Sequence, residues 1–237
     1  MKDSFGRSIE YLRISVTDRC NFRCLYCMPE EGLQWLPRSE ILSYEEIAEV
    51  VTQLAPLGLK RLRLTGGEPT IRPELHKLVA MLRAVPGIED IALSTNGSRF
   101  PEHAPRLKAA GLDRVNISAD SLRPGRVRDI ARRTVTTAPY DALCAAEREG
   151  LSPVKVNVVV MRGINDDEIV DFARLTLEHE WHVRFIELMP VGDMRGVTWE
   201  HVVPSDEILD RLSALGPMAA CDGPARGNGP AVYHRYS

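Results

Sequence analysis

The chain has 237 residues, 44% hydrophobic and 27% charged, and its 30 basic and 33 acidic side chains leave a net charge of −3. That length and apolar content suffice for a buried core, while so even a charge balance gives no general affinity for nucleic acid or an anionic membrane. The opening residues MKDSFGRSIEYLRISV hold no apolar run of signal-peptide length and nothing later approaches a membrane span, so a cytoplasmic protein is expected.

The first predicted strand is YLRISV (11–16), and it runs into CNFRCLYC (20–27), where Cys20, Cys24 and Cys27 stand at the spacing C-x3-C-x2-C. A helix follows over 43–58: Ser43 can cap it, Glu46 is placed as the capping-box partner, and Ile47, Val50, Val51 and Leu54 repeat at helical spacing. The strand KRLRLT (60–65) leads into TGGEPT (65–70), whose paired glycines let backbone approach a ligand and whose Glu68 can accept from an ammonium. Next come a helix over 72–84, the strand IEDIALST (88–95) ending in STNG, a helix over 101–110 and the strand DRVNIS (113–118) ending in NISAD. RPGRVRDIARR (123–133), with five arginines and one aspartate, reads as a solvated loop, with phosphate or partner binding as the alternative. A helix over 137–149 carries Cys144 as a small core residue. It is followed by the strand VKVNVVV (154–160), a helix over 166–180, the strand VRFIEL (183–188) running into ELMPVG, and a helix over 205–214. Beyond 215, Gly and Pro accumulate and periodicity ends. The expected organisation is thus one domain over 1–214 and a loop-like stretch over 215–237, in which Cys221 is a free thiol.

Strands alternating with helices call for parallel βαβ units and an α/β fold. Several strands alternate polar with apolar residues, as Arg13 and Ser15, Arg61 and Arg63, Lys155 and Asn157, or Arg184 and Glu187 do. Strands covered by helices on both faces should be almost wholly apolar. One polar face therefore predicts a curved sheet around a wet, charged interior, an incomplete (β/α)6 barrel of TIM-like type. Arginines at strand ends with solvated heads would give a similar pattern.

Five cysteines in a reducing compartment suggest metal or redox chemistry more than a disulfide framework. Structural zinc wants four ligands, commonly from two C-x2-C pairs, and only Cys24 and Cys27 form such a pair. Three thiolates on one short loop suit a 4Fe-4S cluster with one iron left open. The loop follows the first strand, and the C-terminal ends of barrel strands are where active sites are built. None of the six histidines stands at a metal-ligand spacing, and Met161 and Met189 read by default as core.

The cysteine motif, with Tyr26 just before its last cysteine and GGEP at Gly66 to Pro69, resembles the radical S-adenosylmethionine (SAM) superfamily. YLRISVTDRCNFRCLYCMPEEG, RLRLTGGEPTIRPEL, GIEDIALSTNG, VKVNVVVMRGINDDEI and RFIELMPVG narrow the likeness to the molybdenum cofactor biosynthesis protein A family, the GTP 3',8-cyclases, over about residues 5 to 210. The resemblance implies a barrel of the radical SAM type holding a 4Fe-4S cluster on Cys20, Cys24 and Cys27. SAM would chelate the open iron and touch Tyr26, Gly67, Ser118 and Met189, some of them through backbone. Arg13, Arg63, Ser94 and Lys155 would bind GTP. On the residues alone, Arg13, Arg63 and Lys155 could equally be structural ion-pair partners. The implied reaction is that of a lyase: an electron donor reduces the cluster, SAM yields a 5'-deoxyadenosyl radical, and a hydrogen leaves the ribose 3' carbon. That carbon attacks C8 to give 3',8-cyclo-7,8-dihydro-GTP, an intermediate of molybdopterin. A homodimer is compatible with the resemblance; nucleic acid and membrane are not expected partners.

One departure bears on this expectation. Family members continue further, with a C-x2-C pair and another cysteine for a second 4Fe-4S cluster, whereas Cys221 has no cysteine beside it. Against the family the chain reads as C-terminally truncated, with one cluster. The alternative is a shortened paralogue that binds cluster and SAM without turnover, or acts on another substrate.

Overall fold

A computed structural model of the chain describes residues 2–134, 137–189, 196–223 and 231–236. Six parallel strands lie side by side in chain order: β1 (Tyr11–Ser15), β2 (Arg61–Thr65), β3 (Asp90–Thr95), β4 (Arg114–Ser118), β5 (Lys155–Val160) and β6 (His182–Glu187). The helices between them are α1 (Tyr44–Leu54), α2 (Leu75–Arg83), α3 (Phe100–Ala109), α4 (Pro124–Ala131), α5 (Pro139–Arg148) and α6 (Ile169–Glu178), and α7 (Ser205–Leu212) follows β6. β1 and β6 are the two edges of the sheet, so it is the open, partial form of a barrel.

The two faces of the sheet divide by chemistry because side chains alternate along a strand. Leu62 and Leu64, Ile91 and Leu93, Val115 and Ile117, and Val156, Val158 and Val160 point to one side, where they form a single buried core with the helices. From those helices come Val51, Leu78, Leu82, Phe100, Leu107, Leu143, Phe172 and Ile208. Each such large side chain taken fully out of water stabilises the fold by about 1.5–3 kcal/mol. The alternate positions carry Arg13, Arg63, Ser94, Arg114, Asn116, Ser118, Lys155, Asn157, His182 and Arg184, which makes the interior face polar, as the alternation predicts.

The α1 cap forms as expected: Ser43 Oγ accepts from Glu46 N–H at 3.1 Å and Glu46 Oε2 from Ser43 N–H at 2.7 Å. Two expectations fail. The arginine-rich 123–133 stretch is not a solvated loop, because α4 runs through it with Pro124 in its first turn and Val127, Ile130 and Ala131 buried on one face. Four of the five arginines are directed away from that apolar face into polar contacts: Arg123 and Arg126 pair with Asp167, Arg126 also with Glu168, Arg128 with Asp129, and Arg133 donates to Glu30 O. The stretch after 215 is not wholly loop either. β7 (Met218–Cys221) and β8 (Tyr233–Tyr236) pair antiparallel, while residues 224–230, which hold much of the Gly and Pro, lie outside the described residues. The hairpin leans on the barrel edge, where Arg184 donates to Tyr233 Oη at 3.0 Å and Tyr236 Oη donates to Leu212 O at 3.2 Å. Pro190 to Gly192 of ELMPVG also fall outside the described residues. Among the described residues, no helix is long and apolar enough to cross a membrane.

Candidate active site

The cysteine loop leaves the C-terminal end of β1 and is pinned across the ends of its neighbours. Gly67 N–H and Glu68 N–H donate to Thr17 O and Arg19 O, each at 2.8 Å, while Arg23 N–H and Leu25 N–H donate to Ala131 O and Ile130 O at the end of α4. Asn21 bridges to the segment after β3 through Ser98 Oγ at 2.8 Å and Asn96 Nδ2 at 2.9 Å. The GGEP glycines permit the first of these dockings. A Cβ on Gly67 would sit 2.2 Å from Arg19 O and one on Gly66 2.4 Å from Thr17 O, so here they admit the cysteine loop's own backbone. Glu68, expected to accept from an ammonium, is engaged within the fold. Its buried carboxylate accepts from Thr70 N–H, Thr70 Oγ1, Thr95 Oγ1 and Asn96 N–H, and so ties β2 to β3.

Cys20 and Cys24 are half-buried, Cys27 is exposed, and all three thiols are free. Burial pushes each thiol's pKa up. Further rises come at Cys20 from Glu68 and Cys27, at Cys24 from Asp120, Cys20 and Cys27, and at Cys27 from Asp120. Three thiolates at these positions would repel one another, and a cationic group between them would relieve that repulsion. Among the described residues no three His, Cys, Asp or Glu side chains are gathered so as to hold a single ion. Three thiols on one short loop suit a polynuclear iron group, one thiolate to each iron, better than the four closed ligands of structural zinc.

The last turn of the loop is tethered to the sheet. Tyr26 Oη donates to Asp120 Oδ2 at 2.7 Å, and Asp120 Oδ1 accepts from Val159 N–H at 2.9 Å. Burial pushes the Asp120 carboxyl up to about 6 and the Tyr26 phenol well above its usual range, Asp120 adding to the latter. Asn165 locks the backbone behind them, donating to Asp120 O and Val159 O.

The expected SAM contacts are only partly gathered. Tyr26 and Ser118 line one cavity of ≈ 40 Å³ together with Cys24, Asn96 and Asp120. Gly67 abuts the cysteine loop at Arg19. Met189, two residues past β6, is 66% exposed and takes no part in that cavity, so the default core reading fails for it while it holds for Met161, which is fully buried. Cys144 sits half-buried on α5 against the core, and Cys221 half-buried on β7.

The expected substrate residues lie on the polar face. Arg13 and Arg63 are register partners, and Ser94, Asn116, Lys155 and His182 follow one another across β3 to β6. Among the described residues none of Arg13, Arg63 and Lys155 has an ion-pair partner, whereas Arg114 is held bidentate by Asp90 at 2.8 and 2.6 Å. Arg63 Nε, Arg114 Nη1, both amide atoms of Asn116, Lys155 Nζ, His182 Nδ1 and Arg184 Nε are all buried without a hydrogen-bond partner. An unpartnered buried polar group costs about 1–3 kcal/mol. So many on one face mark a surface built for a ligand rich in acceptors. Burial, then the charges of Arg184, Arg114 and Arg63, brings Lys155 from 10.5 to about 8. Arg114, Asn116 and His182 were not singled out from sequence, and Arg184 only as a polar position alternating along its strand; the available signal was their place two residues from another polar position on the same strand.

A separate open cavity of ≈ 980 Å³ lies between α6, β6, α7 and the β7–β8 hairpin, lined by Leu177, Trp181, Phe185, Leu209, Cys221 and Tyr233 among others.

Comparison with known proteins places this arrangement. Residues 14–176 match the model of the radical SAM superfamily. The chain is 50% identical over 236 residues to the GTP 3',8-cyclase of Pelotomaculum thermopropionicum, and 48% over 234 residues to that of Heliobacterium modesticaldum. Each alignment covers 99% of this chain and 72% of the relative. Solved structures of the same fold include methylornithine synthase, with a TM-score of 0.61 and 17% identity over 86% of this chain and 60% of the other. Another is Streptococcus suis SuiB bound to S-adenosylmethionine, at 0.64 and 14% over 87% and 46%.

Proposed function

Since the chain belongs to the radical SAM superfamily and, within it, to the GTP 3',8-cyclase family, we propose that it binds GTP on the polar barrel face and converts it to 3',8-cyclo-7,8-dihydro-GTP. The observation that carries this reading is the set of unpartnered buried donors on β2, β4, β5 and β6, on a sheet whose C-terminal edge carries a loop with three free thiols. Cys20, Cys24 and Cys27 would hold the 4Fe-4S cluster, and Tyr26, Gly67, Ser118 and Met189 would contact SAM. When bound and reduced by an external donor, cluster and SAM supply a 5'-deoxyadenosyl radical.

The residues of this chain do the rest. Arg13, Arg63 and Lys155 hold the triphosphate, the arginines by paired N–H donors and the lysine as a point charge. Ser94, beside Asn116, adds a hydroxyl at the middle of the face. A triphosphate fixed among these cations leaves the nucleoside toward the strand ends, where the cysteine loop lies. The Tyr26–Asp120 tether and the GGEP docking keep that loop from drifting away from the sheet.

Anaerobic reconstitution with reductant, SAM and GTP tests the proposal. We expect 5'-deoxyadenosine and the cyclised nucleotide together. SAM cleavage that is indifferent to GTP, or that gives no nucleotide product, would replace this reading with radical chemistry on another substrate. No cleavage at all would leave a binding protein.

A further inference from the structure

Asn116 is 1% exposed, and among the described residues neither Oδ1 nor Nδ2 has a hydrogen-bond partner. Its neighbours along β4, Val115 and Ile117, belong to the apolar core, so its side chain stands on the polar face between Arg114 and Ser118. By register it is flanked by Ser94 on β3 and Lys155 on β5. Strand geometry puts those two partners about 5 Å to either side and Ser118 about 7 Å further along, toward the cysteine loop. Asn116 therefore occupies the middle of the face, above the cations Arg63 and Arg114 and below the strand ends.

A primary amide presents one acceptor and a donor group side by side. Phosphate oxygens only accept, so they would leave Oδ1 unsatisfied. A vicinal diol can do both, one hydroxyl donating to Oδ1 and the other accepting from Nδ2. Arg13, Arg63 and Arg114 lie one step below Asn116 and Lys155 lies beside it, so phosphates gripped from below and from the β5 side leave the sugar, the next group of the nucleotide, at the level of Asn116 and Ser118. Arg184, Arg114 and Arg63 act on buried Lys155 as like charges, so an anion among them is favoured beside the amide.

We propose that Asn116 binds the ribose hydroxyls of the nucleotide and selects ribonucleotide over deoxyribonucleotide. The assignment rests on the GTP reading above and adds to it the residue that reads the sugar.

Equilibrium binding of GTP, 2'-deoxy-GTP and 3'-deoxy-GTP to the reconstituted full chain tests it, with thermal melting of each variant without nucleotide. Wild type is expected to prefer GTP over both deoxy analogues by at least about tenfold. Asn116→Leu, close in size and without orphaned atoms, is expected to melt no lower than wild type and to bind all three nucleotides alike, near the deoxy level. Asn116→Ala should show the same loss of preference should the leucine variant pack poorly. A preference retained in both variants, or equal binding of the three nucleotides by wild type, would overturn the assignment while leaving the GTP reading intact. A lower melting point for Asn116→Leu with unchanged selectivity would make the amide a structural residue. Wild type that binds none of the three would overturn both readings.

Discussion

A lysine ammonium packed among arginines and given no acceptor holds its proton less tightly than one in water. Lys155 is in that position, and its pKa of about 8 lies below the unfolded value of 10.5. Below pH 8 both states are protonated and the folded chain carries the full cost of the buried charge. Between 8 and 10.5 the folded state binds fewer protons than the unfolded, so that cost is relieved as pH rises. Lys155→Met should therefore melt higher than wild type at pH 7, with a gap that narrows across 8 to 10.5; a gap constant with pH would contradict this origin. A bound triphosphate reverses the electrostatics, so GTP affinity should be level below about pH 8 and weaken above it. Gly67 gives a second test at this scale. An added Cβ would collide with the Arg19 and Asp18 backbone, which cannot swing aside as a side chain can. Gly67→Ala should destabilise the fold by about 1–3 kcal/mol in chemical denaturation. It should also lower the iron retained after reconstitution, and full iron at wild-type stability would rule out this docking role. These residues differ in how visible they were beforehand. Three cysteines at fixed spacing and a GGEP are legible as written, because the chemistry sits in the local pattern. Asn116 is one polar residue in a strand, and its isolation from partners exists only once the sheet has formed.

The six strands were readable because a half-polar strand has to alternate, and those alternations became the two faces of one sheet. α4 was hidden by composition. Five arginines in 123–133 outweigh Val127, Ile130 and Ala131, although those three stand at the spacing of one helical face. What makes the helix tolerable is Glu168, which lies far off in sequence. Its buried carboxylate accepts from Ser121 Oγ at 2.7 Å and Leu122 N–H at 2.7 Å, and it pairs with Arg126. The end of α4 in turn receives two hydrogen bonds from the cysteine loop. Glu168→Ala would leave Ser121 Oγ and Leu122 N–H without their buried acceptor and Arg126 with only its pair to Asp167, and should cost about 1–3 kcal/mol, as unpartnered buried donors do. Because α4 holds the loop, the same change should speed loss of iron from reconstituted protein. Arg123→Ala, at an exposed pair with Asp167, should cost under about 1 kcal/mol and leave iron retention alone. Equal effects from the two substitutions would mean that α4 is not the support of the loop.

At the scale of the molecule, the polar barrel face and the cysteine loop belong to one continuous unit, whereas the remaining two cysteines are dispersed. Cys144 is on α5 and Cys221 on β7, on separate elements far in sequence from the loop. The relatives are longer, since the chain spans about 72% of their length, and no second C-x2-C occurs in its 237 residues. One cluster per chain, about four irons, is the expected content after anaerobic reconstitution. Replacing Cys20, Cys24 or Cys27 by Ala should strip the iron and its visible absorption together. Cys144→Ser and Cys221→Ser should change neither. About eight irons per chain, or loss of iron in either serine variant, would show that ligands outside the loop assemble a second centre. Four irons that persist without the loop cysteines would move the cluster elsewhere in the fold, and the cysteine loop would then lose its chemical meaning.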